Sequence, residues 1–253
     1  MRLAYMLCKF KSNILSFLAI TSIFLASCSS VYMPNVPNSP MLSAKNEIHA
    51  SGHISLKGNL SFNTAYAVSD HVGVLFNGAF IDQSKRKKDF SQDLVEAGAG
   101  YYTTFGKDNK RIFEVYGGFG SGTTKRTYRT FEDDGTIVSD LQNVRFSKSF
   151  LQVNYSTKEK NSLKLFSKKF PLNYGTIFRI SHVSMTKFER NNVVQPLEDN
   201  VFIEPVFFTR LKLNQNFQLQ YTTGSNFGLK NRDFLTAGSS VFTLGLIVNL
   251  GGK

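Results

Sequence analysis

The chain has 253 residues, 42% of them hydrophobic, with 30 basic against 18 acidic side chains, a formal net charge of +12 and two cysteines. That length and apolar fraction suffice for one packed domain and exclude a disordered chain. Two cysteines exclude a disulfide-framed scaffold, and no Cys/His/Asp group has metal-ligand spacing, so neither a metal nor a cofactor is expected.

Met1 to Ser27 has the three-part layout of a secretory signal. Arg2, Lys9 and Lys11 form a basic start without an acidic residue, and Ile14 to Leu25 is an apolar run broken by Ser16, Thr21 and Ser22. The run is shorter than the about 20 apolar residues that span a bilayer. It closes on Leu25-Ala26-Ser27-Cys28, which resembles the lipobox of bacterial lipoprotein precursors. The resemblance implies cleavage before Cys28 and a thioether from its thiol to diacylglycerol. Cys8 leaves with the signal, so the mature chain is expected to hold no free thiol and no disulfide. Ser29 rather than Asp follows, which in such lipoproteins is compatible with sorting to the outer membrane. No acidic surface-export motif follows it, so the tether is expected to start on the periplasmic side.

Ser29 to Ala44 carries Pro34, Pro37 and Pro40 among Asn and Ser. Each Pro fixes φ and lacks a donor, so the region 28–46 is expected to be an extended tether that lets the body stand off from its lipid.

From residue 47 to 253 the pattern is apolar/polar alternation in segments of about ten residues, the length a tilted strand needs to cross a bilayer. Ten strands are expected, near 47–56, 59–68, 71–81, 93–105, 111–122, 143–157, 174–187, 200–211, 215–225 and 239–250. Pro171 argues against one continuous strand through 162–174, so eight or twelve strands stay open. Connections alternate in length. Ser69-Asp70, Gly106 to Lys110, Lys158 to Asn161 and Asn214 are short; Asp82 to Gln92, Thr123 to Gln142, Phe188 to Asp199 and Phe227 to Gly238 are long. That is the turn and loop asymmetry of membrane barrels.

The faces point the same way. Leu60, Phe62, Tyr66 and Val68 oppose Ser61, Asn63, Ala65 and Ala67, and Leu151, Val153 and Tyr155 oppose Gln152 and Asn154. A soluble sheet of a basic protein would carry many Lys and Glu on its wet face. Here most charge falls in the connections, and the polar face is Gly, Ser, Asn, Gln and isolated Glu, which suits a narrow interior. The fold class expected is therefore all-β, a single antiparallel up-and-down barrel with an apolar belt towards lipid, read as a monomer. A soluble lipocalin-like cup is the alternative.

The tail Phe242, Leu244, Leu246, Val248, Leu250 alternates almost to the end, as in the terminal strand by which outer-membrane barrels are recognised for insertion, although Gly251-Gly252-Lys253 replaces the usual final aromatic. With the lipobox, the Pro-spaced segment and Ala65-Tyr66-Ala67 before the short Ser69-Asp70 turn, the chain resembles a family of bacterial lipoproteins that carry an outer-membrane-type β-barrel domain. The resemblance implies location and architecture and brings no known reaction with it.

Glu96, Glu114, Glu204 and Arg179 are ionisable residues expected to face inward, where they must pair or bond with Arg210, Gln152 or Asn154. No catalytic residue is assigned: His49, His53, His71 and His182 lack a nucleophile motif, and a hydrolase working from the barrel rim is the minor alternative. Gly118-Phe119-Gly120-Ser121-Gly122 lacks the Lys and the helix of a phosphate loop. Lys85, Arg86, Lys87, Lys88, Lys125, Arg126 and Arg129 lie in the first two long connections and are candidates to meet anionic lipid or a cell-surface polymer. Nucleic acid is not expected as a partner, because an exported chain meets little of it and the charge lies on no single face.

Overall fold

In a computed structural model, residues 30–134, 136–165, 168–236 and 241–251 are described and the fold is all-β. The segment expected to be a secretory signal, and Cys28, lie outside the described residues. In chain order the strands are β1 Ile48–Ser55, β2 Leu60–Ala67, β3 Val72–Lys85, β4 Lys88–Phe105, β5 Arg111–Phe131, β6 Ile137–Leu165, β7 Lys168–Arg190, β8 Val193–Val194, β9 Asp199–Lys212, β10 Phe217–Gly224, β11 Phe227–Gly228 and β12 Val241–Leu250. Ten of these form a closed antiparallel ring, each paired with its sequence neighbour; β8 and β11 are two-residue additions to β7 and β9. β1 pairs with β2 on one side and β12 on the other, Ile48 lying opposite both Tyr66 and Leu250, so the ring has no open edge.

The pleat sorts side chains as a membrane barrel does. On β2, Leu60, Phe62 and Tyr66 face out and Ser61, Asn63, Ala65 and Ala67 face in, buried. The outward set continues round the ring through Phe76, Val95, Leu151, Phe178, Phe207, Leu219 and Leu246, all exposed. The interior instead buries Asn63, Asn77, Gln92, Glu96, Gln152 and Asn154, beside an apolar cluster that includes Leu94, Phe146, Val183, Met185 and Phe202. A water-soluble barrel puts its apolar side chains inside; this inversion is what a hydrocarbon surround selects.

Wall height is uneven. β1, β2 and β10 have 8 residues each, about 26 Å along the strand, whereas β6 has 29, about 95 Å. Two expectations change here. The stretches around Lys85–Lys88, 123–142 and Phe188 onward, read as loops, are continued strand pairing: β3 and β4 meet through a two-residue turn at Arg86-Lys87, and β5 and β6 stay paired up to Phe131↔Ile137. Beyond the apolar belt nothing demands alternation, so the pattern ends while the ladder goes on. Lys158 to Asn161 is likewise no turn, since β6 and β7 stay paired on to Leu165↔Lys168.

Pro171 lies within β7 after all. It sits opposite Ser162 one residue before the β9 pairing begins at Leu172↔Leu211, so one flank of the strand is still free there. Pro205 occupies a similar gap, between the β10 pairing that ends at Val206 and the β11 pairing at Ile203.

The region expected to hold the body away from its lipid does something else. Val31, Tyr32, Asn35, Val36, Asn38, Ser39 and Leu42 are buried, because residues 30–46 run through the barrel interior. An isolated Pro-rich chain has its backbone solvated by water; here the polar wall takes over that role.

Candidate functional site

The interior segment enters at the mouth bearing the tall hairpins. There Val31 N–H donates to the Phe234 carbonyl at 3.0 Å, and the Tyr32 ring lies against Phe146 and Phe202, with centroids 5.5 and 5.1 Å away. It leaves at the short-turn mouth, where Asn46 N–H donates to the Ala67 carbonyl at 2.9 Å and Ser43 bonds Glu47 and Lys158. Three prolines keep it out of any ladder, and residues 32–43 carry no regular secondary structure, so its backbone groups need partners from the wall. Gln92 supplies two: its Oε1 accepts from Met33 N–H at 2.8 Å and its Nε2 donates to the Met33 carbonyl at 2.7 Å. Asn63 donates to the Val36 carbonyl, Gln152 and Asn154 to that of Asn38, and Arg210 to that of Ser39, while Glu114 accepts from Leu42 N–H.

Asn35 and Asn38 are spaced by three and reach the same wall. Asn35 Nδ2 donates to Glu96 at 2.8 Å, and its Oδ1 accepts from Lys148 and Arg179, each at 3.2 Å. Asn38 donates to Asn77 at 3.0 Å and to the Thr64 carbonyl at 2.8 Å. Pro34-Asn35-Val36-Pro37-Asn38-Ser39 repeats Pro-Asn at intervals of three, and that repeat was the available signal for a segment that docks. An unstructured tether has no need of it.

The inward carboxylates and cations meet around the segment. Glu96 is bonded by Lys148 at 2.7 Å, Asn35 at 2.8 Å, Asn77 at 3.2 Å and Arg179 at 3.4 Å. Arg179 also donates twice to Gln152 Oε1, at 2.9 and 2.7 Å, and stacks 4.6 Å over the Phe150 ring. Glu114 accepts from Tyr116 and Asn154, each at 3.1 Å, and Gln152 donates to Asn154 at 2.8 Å. Glu204 is the least engaged: Lys148 Nζ is 4.0 Å away and neither oxygen is hydrogen-bonded within the described protein. Thus Glu96, Glu114, Gln152, Asn154 and Arg179 share one bonded lining, and Glu204 stands at its margin. Lys148 was not singled out in the sequence. Its neighbours Ser147 and Ser149 look like a polar strand surface; the available signal was its parity with Gln152 and Asn154, and the β6 register places Lys148 inward with them.

Room for this lining comes from small residues. Gly118 faces the lumen, and a Cβ there would run into the Ala97 carbonyl oxygen of the neighbouring strand and stand 2.6 Å from the tip of the Phe150 ring, the ring that Arg179 covers. Gly118 and Gly122 therefore leave room for the Phe150 and Phe146 rings and for close approach of β4.

The basic candidates separate. Lys85, Arg86, Lys87 and Lys125 are exposed around the β3–β5 tips. Arg126 is buried and bonds Gln142, and Arg129 pairs with Asp89 and donates to the Lys85 carbonyl at 3.3 Å. Lys88 lies 5.3 Å over the Tyr128 ring and 5.6 Å over Phe90. The stretch after β11 folds back over the same mouth. Glu198 accepts from the N–H groups of Asp233, Phe234 and Leu235, Asn200 donates to the Leu235 carbonyl at 2.6 Å, and Leu235 is fully buried. On the rim His182 bonds Asp199 at 3.2 Å, but Asp199 is also gripped by Lys230 and Arg232, as an ion cluster fixing that stretch. His49 bonds Asn249 at 2.9 Å and His53 bonds Ser51 at 3.0 Å, both inside, and His71 stacks on Tyr101.

These features define an outer-membrane-type β-barrel whose interior is occupied by its own N-terminal segment. No family model matches the chain, and no curated protein matches it in sequence. Among solved structures it is similar to the translocator domain of the autotransporter NalP from Neisseria meningitidis, at 10% identity and a TM-score of 0.48, over 80% of this chain and 85% of that one. The likeness concerns barrel architecture and says nothing about activity.

Proposed function

We propose that this chain is a lipid-anchored outer-membrane barrel with a structural or binding role, closed to solute flow, that presents its tall β3–β4 and β5–β6 hairpins outside the cell. The observation that carries the reading is the combination of an apolar outer surface with a polar interior already filled by residues 30–46. An apolar belt needs lipid, since an exposed apolar surface of that extent on a soluble protein would aggregate. A filled interior leaves the projecting hairpins as the surfaces able to meet a partner. Anionic lipid or an acidic cell-surface polymer is the counterpart that Lys85, Arg86, Lys87 and Lys125 suit. The anchor is Cys28.

Alkaline carbonate extraction of the Cys28→Ala variant tests the belt apart from the anchor. An inserted barrel stays with the membrane without its lipid, and unboiled samples keep a fast-migrating form on gels. Release into the supernatant would mean a periplasmic cup held by lipid alone.

A further inference from the structure

The route of the interior segment fixes where its lipid must be. Chain direction through the barrel is set by bonds at both ends: Val31 to Phe234 at the tall-hairpin mouth, Asn46 to Ala67 at the short-turn mouth. Both ends of the barrel's own strands, Ile48 and Leu250, lie at the short-turn mouth. In outer-membrane barrels short turns face the periplasm and long hairpins the outside. Ser30 is therefore at the external mouth. Cys28 is two residues further, a reach of at most about 7 Å, whereas the apolar belt of such barrels is about 25 Å tall. A lipid on Cys28 cannot return to the periplasmic leaflet over that distance.

We infer that the chain is threaded through its own barrel so that Cys28 emerges outside, and that its acyl chains lie in the outer leaflet. This replaces the expectation that the tether starts on the periplasmic side, and it rests on lipidation of Cys28. The wall offers a way across. On the β10–β12–β1–β2 side the strands stop low, β1 at Ser55 and β12 beginning at Val241. A mostly apolar hollow of about 240 Å³ opens there, lined by Met33, Pro34 and Val36 of the segment and by Leu56, Val241 and Phe242 of the wall. Leu56 is 94% exposed at its rim. Cys28 is five residues from Met33, at most about 18 Å of chain, so an acyl chain on Cys28 can pass through this hollow from the mouth to the lipid. On the opposite side β4 to β7 rise as a polar fence. Since the ring is closed and a diacylglycerol group is far wider than the filled lumen, the barrel must close around the segment during assembly.

Cysteine accessibility in intact cells tests the route. Ser30→Cys adds the one free thiol of the mature chain once Cys28 is acylated; Lys87→Cys at an external tip and Asp108→Cys at a short turn are the controls. A membrane-impermeant maleimide is expected to label Ser30→Cys and Lys87→Cys in intact cells, and Asp108→Cys after permeabilisation. Because Ser30 is half-buried, a short epitope inserted between Ser29 and Ser30 gives a second readout by antibody binding to intact cells. Labelling of Ser30→Cys together with Asp108→Cys, and an epitope hidden until permeabilisation, overturn the threaded route. Metabolic acyl labelling of the wild type, lost in Cys28→Ala, reports the anchor separately. Its absence with an external Ser30 overturns the proposal through the anchor and leaves the route standing.

Discussion

Glu96 is the hub through which the wall holds the segment, and Glu96→Gln perturbs it with little change in shape. The substitution removes the carboxylate to which Lys148 donates at 2.7 Å and near which Arg179 sits at 3.4 Å, while Asn35 loses a charged acceptor at 2.8 Å. Lys148, Arg179 and Glu96 are all fully buried, so solvent cannot take over. Removing one member of a buried, bonded ion cluster costs about 3–5 kcal/mol. For a chain of this size that corresponds to a fall of about 6–20 °C in the unfolding midpoint. The assay is the temperature at which the fast-migrating folded form is lost on gels, measured in one detergent for wild type and variant. Glu96→Gln/Lys148→Met, which removes the charge pair together, is expected to recover part of the loss, because a paired deletion leaves fewer stranded charges. A Glu96→Gln midpoint within about 2 °C of wild type, less than 1 kcal/mol, would refute the claim that this network holds the segment.

Further outcomes follow from other parts of the structure. Gly118→Val should fold poorly, by about 1–3 kcal/mol of overpacking or more, because its Cβ meets the Ala97 carbonyl oxygen of β4 as well as the Phe150 ring; the same gel midpoint reads it, and an unchanged value would mean that β4 and β5 leave room for a side chain there. Deleting residues 31–45 should convert a silent barrel into one that conducts in planar bilayers, whereas a stable conductance from the full chain would contradict the closed interior. Replacing Lys85, Arg86, Lys87 and Lys125 with Gln should weaken binding to anionic vesicles and flatten its salt dependence, at up to about 1 kcal/mol per residue. Arg129→Gln, which breaks the Asp89 pair instead, should cost stability and leave vesicle binding unchanged. His182→Ala should loosen the Asp199 cluster and leave phospholipid hydrolysis by membranes at background; a loss of measurable hydrolysis would favour rim chemistry.

The ten strands of the ring were legible because an apolar outer face over a polar interior gives a period-two code: Leu60, Phe62 and Tyr66 against Ser61, Asn63 and Ala65 can be sorted without coordinates. Where the apolar belt ends the code ends too, which is why the paired extensions at Ser84↔Asp89 and Tyr128↔Asp140 read as loops. Inward polar residues such as Glu96 and Gln152 could be placed by parity, but their partners could not, since those come from strands far apart in sequence and from a segment that looked like a linker. The linker reading failed on an ambiguity of chemistry. Proline removes a segment from helix and sheet whether water or a polar wall satisfies its carbonyls, and only the recurring Asn beside each of two prolines separates the cases.

Occupation of the interior by residues 30–46 is the central claim, and cross-linking tests it most directly. Asn38→Cys/Asn77→Cys places thiols where the two amides now bond at 3.0 Å; on the proposal that the chain is cleaved before an acylated Cys28, no other free thiol remains. Asn38→Cys/Val74→Cys is the control, since Val74 faces outward and is exposed. A short, membrane-permeant bis-methanethiosulfonate, which forms a disulfide to each thiol with loss of sulfinate, should when applied to cells produce a shifted band on non-reducing denaturing gels for the first pair and none for the second. No cross-link at Asn38/Asn77, or equal cross-linking in the control, would contradict the threaded barrel.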